Sequence, residues 1–81
     1  MHVMVSFYSY LKDLTGCAQL DETMPEGSTL GDLAKKLSSR FPKLEPMWNS
    51  ILMAVGVDYQ ERGYLLKPGD QVSFFPPVQG G

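Results

Sequence analysis

STLGDLAKKLSSRF, residues 28–41, is the strongest structural signal in this chain, because it has every mark of an amphipathic helix. Thr29 is a favourable N-cap, and Asp32 three residues later gives a near capping box. Pro42 ends the helix, since the residue before a proline avoids the helical conformation. The charged residues of this segment are predicted to form a solvated face. The apolar residues recur at the spacing of the opposite face: Leu30, Leu33, Ala34, Leu37 and Phe41.

Strand patterns flank this helix on both sides. Residues 2–8 (HVMVSFY) alternate in polarity, and residues 17–24 follow the turn at Gly16 as a weaker second strand, so the two are predicted to form a hairpin. A connector at residues 42–50 has room for one helical turn. Residues 51–57 (ILMAVGV) are nearly all apolar, which suits a central, buried strand. The turn KPGD at residues 67–70 precedes the last strand, QVSFF at residues 71–75.

The element order is therefore β-β-α-β-β, with room for one short extra strand near Tyr59. One helix can cover only one face of such a sheet. The predicted fold is α+β, a β-grasp or ubiquitin-like fold with a mixed sheet of four to five strands and one main helix on one face. In this fold the first and last strands lie parallel in the middle of the sheet. Residues 1–75 are predicted to form the domain, and residues 76–81 an extended, flexible C-terminal tail.

The predicted helix leaves one face of the sheet uncovered. The strand alternation places Val3, Val5, Phe7, Val72 and Phe74 under the helix. The opposite face then carries Met4, Tyr8 and Phe75, with Tyr59 nearby. Single exposed aromatic residues are normal on any protein surface. We favour a partner interface, because grouped large apolar side chains mark such surfaces and interfaces are enriched in Tyr, Phe and Met.

Composition narrows the class of protein. The chain has 81 residues, a formal net charge of -2 and scattered basic residues, which argues against nucleic-acid binding. Its single cysteine, Cys17, excludes an intrachain disulfide and fits a reducing compartment. His2 has no neighbouring cysteine or carboxylate cluster, so no metal site is predicted. No signal-peptide pattern and no apolar run of membrane-spanning length are present, and the expected location is the cytoplasm, away from membranes.

The chain ends in FFPPVQGG, residues 74–81. Pro76 and Pro77 favour an extended conformation and have no backbone N–H to donate to a sheet. They are therefore predicted to direct the chain away from the domain. Gly80 and Gly81 have no Cβ atoms and fit a channel too narrow for other residues. The carboxylate of Gly81 is ionised at neutral pH and resists nucleophiles, so it needs activation, for example as an acyl-adenylate. A terminal diglycine by itself is also compatible with a chance end.

These motifs resemble the MoaD family, the small subunits of molybdopterin synthase, over essentially the whole chain. LKPGDQVSFFPPVQGG (residues 66–81) is similar to the family ending L-x-x-G-D-E-V-[AS]-x-x-P-P-V-[ST]-G-G. The first strand and turn (residues 5–16), the helix start (28–37) and LMAVG (52–56) also resemble the family. Three residues depart from it: Gly56 replaces the usual Asn, Gln71 the usual Glu, and Gln79 the usual Ser or Thr.

The resemblance implies a sulfur carrier. An E1-like enzyme would use ATP to adenylate Gly81, and a sulfurtransferase would convert it to a thiocarboxylate. The loaded tail would donate sulfur to cyclic pyranopterin monophosphate and form the dithiolene of molybdopterin. Catalytic side chains are expected on the large synthase subunit, in a heterotetramer, so this chain is no enzyme on its own and binds no cofactor. The family's tail-threading segment corresponds to Pro76, Pro77, Val78, Gln79 and Gly80, and its partner-contacting face to Tyr8, Tyr59 and Phe75.

Three alternatives remain at this point. The chain could carry sulfur for another pathway, namely thiamin synthesis, tRNA thiolation or cysteine synthesis. It could be a ubiquitin-like modifier whose Gly81 forms isopeptide bonds with lysines. It could also be an adaptor that uses its surface and has no tail chemistry.

Overall fold

The computed structural model describes residues 1–77, and its elements follow the predicted order. The main helix, the hairpin, the connecting helical turn and the last strand are all confirmed. The elements are β1 (His2–Phe7), α1 (Leu11–Thr15), β2 (Gln19–Thr23), α2 (Leu30–Arg40), a 3-10 helix (Pro42–Met47), β3 (Leu52–Val55), β4 (Asp58–Tyr59) and β5 (Gln71–Phe75).

The strands form one five-stranded mixed sheet in the order β2-β1-β5-β3-β4. β1 and β5 run parallel, with Val5 opposite Val72 and Phe7 opposite Phe74. The other three pairings are antiparallel. Parallel neighbours need a long crossover connection, and α2 lies within the segment that joins β1 to β5. The predicted β-grasp arrangement, with the first and last strands side by side, is confirmed.

The core lies between α2 and the covered face of the sheet. Leu30, Leu33 and Leu37 of α2 have no exposed surface, and each such burial stabilises the fold by roughly 1.5–3 kcal/mol. The predicted sheet partners from β1 and β5 are at most 2% exposed. The Phe7 ring meets Phe41 and Phe74 edge-to-face, with centroids 5.9 and 5.7 Å apart. The predicted inward face is therefore confirmed.

Both halves of a capping box start α2. The Asp32 amide donates to Thr29 Oγ1 at 3.1 Å, and the Thr29 amide donates to Asp32 Oδ2 at 2.9 Å. These bonds satisfy backbone donors that the first helical turn leaves without partners. Hydrogen bonds with Thr29 lower the pKa of Asp32 below its ordinary value. The bond with the Thr29 backbone has the larger effect and the bond with its side chain the smaller one. The near capping box predicted from the sequence is a complete one.

We expect Thr29→Ala to lower the free energy of unfolding by about 1 kcal/mol at pH 7. The pKa of Asp32 is lowered in the folded chain, so its contribution is present above the unfolded pKa, about 4, and is lost as the pH falls through the folded value. Urea titrations across this acid range measure the effect. Asp32→Asn should show a weaker loss of stability on acidification than the wild type, and an equal loss would contradict this role for the carboxylate.

Two local assignments differ from the sequence prediction. Residues 11–15 form the short helix α1 rather than an open turn, with Leu11 fully buried and Gly16 at a φ of 78° as the C-cap. The predicted strand at residues 51–57 ends at Val55, because Gly56 at a φ of 63° turns the chain into β4. Val57 is consequently 97% exposed. The buried character predicted for this strand holds for Met53 and Ala54.

The exposed polar face of α2 also makes ion pairs with a buried carboxylate of the sheet. Glu22 of β2 is 3% exposed and faces this helix. Arg40 Nη1 donates to Glu22 Oε2 at 2.8 Å, and Lys36 Nζ lies 3.1 Å from Glu22 Oε1. Lys36 Nζ also donates to the Thr23 carbonyl at 2.7 Å. The predicted solvated face is confirmed by the exposure of Lys36 and Arg40, and both cations in addition neutralise a buried carboxylate that the sequence prediction did not include.

Within residues 1–77, no helix has the length and apolar character needed to cross a membrane. The cytoplasmic location stays a prediction.

Candidate functional site

The uncovered sheet face brings three of the predicted interface residues together. The Tyr8 and Phe75 rings are stacked, with centroids 4.8 Å apart and planes 14° from parallel. Tyr59 approaches Phe75 with its edge, at a centroid distance of 6.2 Å. We call Tyr8, Tyr59 and Phe75 the aromatic cluster. Tyr8 is 45% and Tyr59 69% exposed, so a large part of each of these two residues is open to solvent in the described chain.

Strand register places these rings side by side. The Tyr8 amide donates to the Phe74 carbonyl at 3.1 Å, which continues the parallel pairing of β1 and β5 one residue past the end of β1. Tyr59 belongs to β4 and reaches the same face through β3, because it pairs with Ala54 of β3 and Ala54 pairs with Ser73 of β5. The cluster is thus built at the end of the sheet where β5 stops.

Leu52 is a neighbour that sequence reasoning missed. It lies opposite Phe75 in the pairing of β3 with β5 and is half-buried. Directly paired residues point to the same face, so Leu52 extends the apolar surface of the aromatic cluster. The sequence alone shows Leu52 inside an apolar run, and only the β3–β5 register reveals that it faces away from the helix.

Met4 lies on the same face but apart from the aromatic cluster. It is 39% exposed and pairs with Gln71, at the other end of β5. Ser6 and Ser73 form the intervening pair, and their small polar side chains separate Met4 from the rings. The predicted four-residue interface is therefore a cluster of three and an outlying methionine.

The aromatic cluster lies where the C-terminal segment leaves the last strand. Phe75 ends β5 and is followed by Pro76 and Pro77, both half-buried. The other predicted tail residues, Val78, Gln79, Gly80 and Gly81, lie outside the described residues. Their predicted roles in threading and reaction are untested by the geometry.

The aromatic cluster offers contacts suited to binding another protein. Rings stacked beside Leu52 offer a large apolar contact with two phenol hydroxyls, Tyr8 and Tyr59, which suits a surface that one side of a partner covers. Among residues 1–77, no three His, Cys, Asp or Glu side chains are grouped closely enough to hold a metal ion.

Comparison with known proteins gives a consistent set of relatives. The ThiS family matches residues 5–81. The human molybdopterin synthase sulfur carrier subunit is 30% identical over 82 residues, covering 98% of this chain and 93% of the human protein.

Solved structures share the fold. A putative molybdopterin converting factor, subunit 1, from Pyrococcus furiosus superposes with a TM-score of 0.88 at 27% identity, covering 96% of this chain and 99% of that one. Small archaeal modifier protein 1 from Haloferax volcanii has a TM-score of 0.85 at 21% identity, with 95% and 98% covered. The second likeness shows the fold alone.

Proposed function

The chain belongs to the ThiS family, and from this membership and its 30% identity to the human carrier we propose that it is the sulfur carrier subunit of a molybdopterin synthase. The observation that carries the proposal is the match to the human carrier along nearly the whole of both chains. The family match reaches residue 81, so it includes the PPVQGG ending.

The proposed chemistry takes place at the carboxylate of Gly81. A carboxylate oxygen attacks the α-phosphorus of ATP on an E1-like enzyme, pyrophosphate leaves, and an acyl-adenylate forms. The persulfide of a sulfurtransferase then displaces AMP and forms an acyl disulfide. A thiol attacks the sulfurtransferase sulfur of this disulfide, so a new disulfide forms there and the thiocarboxylate is released. On the large synthase subunit, the sulfur of the loaded chain displaces an oxygen substituent from a carbon of cyclic pyranopterin monophosphate, and water then cleaves the bond between the sulfur and Gly81, which restores the Gly81 carboxylate. The dithiolene product contains two sulfurs, so two loaded carriers act for each product molecule.

The position of the aromatic cluster supports this role. Four residues follow Pro77, and a fully extended chain covers at most about 3.6 Å per residue, roughly 14 Å in all. An enzyme that reacts at Gly81 must therefore bind close to Tyr8 and Phe75. We propose that residues 1–75 act as the docking domain and residues 76–81 as the tail that enters the partner, within a heterotetramer built on the large subunit.

Intact-mass spectrometry tests the proposal. The chain is co-expressed with its activating enzyme and a sulfur source, and we expect a fraction heavier by the exchange of one oxygen for one sulfur. Omitting the activating enzyme is the matched control and should abolish that fraction. An unchanged mass, under conditions that load the human carrier, would contradict the proposal. Conjugates to lysines of other proteins would instead indicate a modifier, a role that the shared fold does not exclude.

Tyr8→Ala should weaken binding to the large subunit by about 10- to 100-fold, because it removes a stacked ring from the centre of the proposed interface. Tyr8→Phe keeps the ring and should bind within a few-fold of the wild type. Titration calorimetry gives both affinities. Thermal unfolding of the two variants serves as the control, since a half-exposed side chain contributes little to the core. Equal binding by the alanine variant would exclude the aromatic cluster from the interface.

A further inference from the structure

A small pocket adjoins the aromatic cluster at the corner where the chain leaves β1 for α1. It encloses about 290 Å³ and shares Tyr8 with the cluster. Ser6 and Gln19 are paired across β1 and β2, and Gln19 Nε2 donates to Ser6 Oγ at 3.3 Å, so both side chains lie on the uncovered face. The pocket is lined by Ser6, Phe7, Tyr8, Lys12, Ala18 and Gln19.

The polar lining of this pocket can donate hydrogen bonds and contains no carboxylate. Lys12 supplies an ammonium, Gln19 an amide and Ser6 a hydroxyl. Lys12 is exposed, and no acceptor or carboxylate within residues 1–77 contacts its side chain. Among the other cations, Glu22 neutralises Lys36 and Arg40, whereas Lys35, Lys43 and Lys67 also have no ion pair within residues 1–77. What distinguishes Lys12 is its position, because it has no ionic partner in the described part of the chain and lines a pocket together with Tyr8 of the aromatic cluster.

We propose that this pocket receives a carboxylate side chain, an Asp or Glu, of the large subunit when that subunit covers the aromatic cluster; the inference rests on the function proposed above. A carboxylate accepts from ammonium, amide and hydroxyl together, and charge-assisted bonds of this kind are the stronger ones. Covering the cluster excludes water from the neighbouring pocket and strengthens the ion pair. The pair sets the register in which the partner meets Tyr8 and Phe75.

A protein carboxylate fits these observations better than a small free anion. The pocket is shallow and formed partly by exposed residues, Ala18 and Gln19 among them, so a free anion would keep much of its water there. Its polar groups are also continuous with the aromatic cluster through Tyr8. A single partner surface with an apolar centre and an acidic edge would contact the aromatic cluster and the pocket together.

Charge reversal tests the inference on the full chain and the purified large subunit. Lys12→Glu should weaken binding about tenfold at low salt, and raising the salt should reduce this difference only in part, because a pair shielded from water is screened less than an exposed one. Lys12→Arg keeps the charge and should bind within about twofold of the wild type. Lys35→Glu, an exposed position on α2, makes the same change in net charge away from the pocket and should also bind like the wild type.

The outcomes separate the two proposals. Lack of binding by the wild type would contradict the proposed function, and the pocket proposal would fail with it. Wild-type binding with an undiminished Lys12→Glu variant would overturn the pocket proposal alone. Equal losses for Lys12→Glu and Lys35→Glu would overturn it too, because they indicate a general effect of net charge. Saturable binding of inorganic phosphate at Lys12, with partner binding insensitive to Lys12, would identify a small-anion site instead.

Discussion

Removal of Gly81 should abolish sulfur transfer and leave the domain folded. The deletion places the terminal carboxylate on Gly80 and withdraws the reacting carbon by one residue, roughly 3.3–3.6 Å of extended chain. A misplacement of about 1 Å can cost a reaction about 100-fold, so we expect no measurable transfer from a chain shortened by this amount. Within residues 1–77 the buried core residues lie between Val3 and Phe74, so the unfolding temperature should not change.

A synthase assay with the large subunit and the activating enzyme measures this loss, and circular dichroism follows folding. Lys35→Ala is the control, because it changes an exposed position on α2 outside the tail and leaves the terminus in place. It should keep most of the activity. If the deletion variant remains active, Gly81 is not the reactive residue; if it unfolds, the tail has a structural role that the proposal does not include.

The main fold elements could be predicted because local patterns agree with tertiary structure. The α2 segment carries its cap, its apolar face and its stop, Pro42, within fifteen consecutive residues, 28–42. Helix α1 carries no such information. It has five residues, which is too short for a helical periodicity to be visible in the sequence. Its formation depends on the burial of Leu11 and on the left-handed conformation of Gly16.

The sequence predicts which residues lie on the uncovered face of the sheet, but not which of them contact one another. Alternation along β1 and β5 correctly assigns Tyr8, Phe75 and Met4 to the uncovered side. Which of them meet depends on register between strands distant in sequence, and this register joins Leu52 to the aromatic cluster while separating Met4 from it. The pocket at Lys12 depends in addition on the unpredicted helix α1.

The buried Glu22 illustrates the same dependence on distant partners. Its place in β2 puts it on the inward side opposite Val3, where an apolar residue is the usual choice. Its neutralising groups, Lys36 and Arg40, lie 14 and 18 residues further along on α2. A carboxylate can be buried only when charges and hydrogen bonds replace its water, so these contacts are what allow β2 and α2 to pack closely.

We expect the double variant Lys36→Met/Arg40→Met to lose about 3–5 kcal/mol of unfolding free energy, because it leaves the Glu22 carboxylate buried without a counter-charge. Arg40→Met alone should lose less, since Lys36 still contacts the carboxylate. Urea denaturation at neutral pH measures each change. Lys35→Met, at a neighbouring exposed position, is the control and should stay within about 0.5 kcal/mol of the wild type.

A triple variant that adds Glu22→Met separates the cost of an unpaired charge from the loss of packing. Replacing a buried ion network by apolar side chains of similar volume is often neutral or stabilising, so the triple variant should recover most of the stability that the double variant loses. A triple variant as unstable as the double one would show that the methylene stems of Lys36 and Arg40, rather than their charges, hold α2 against β2. A double variant of wild-type stability would mean that solvent reaches Glu22 despite its 3% exposure.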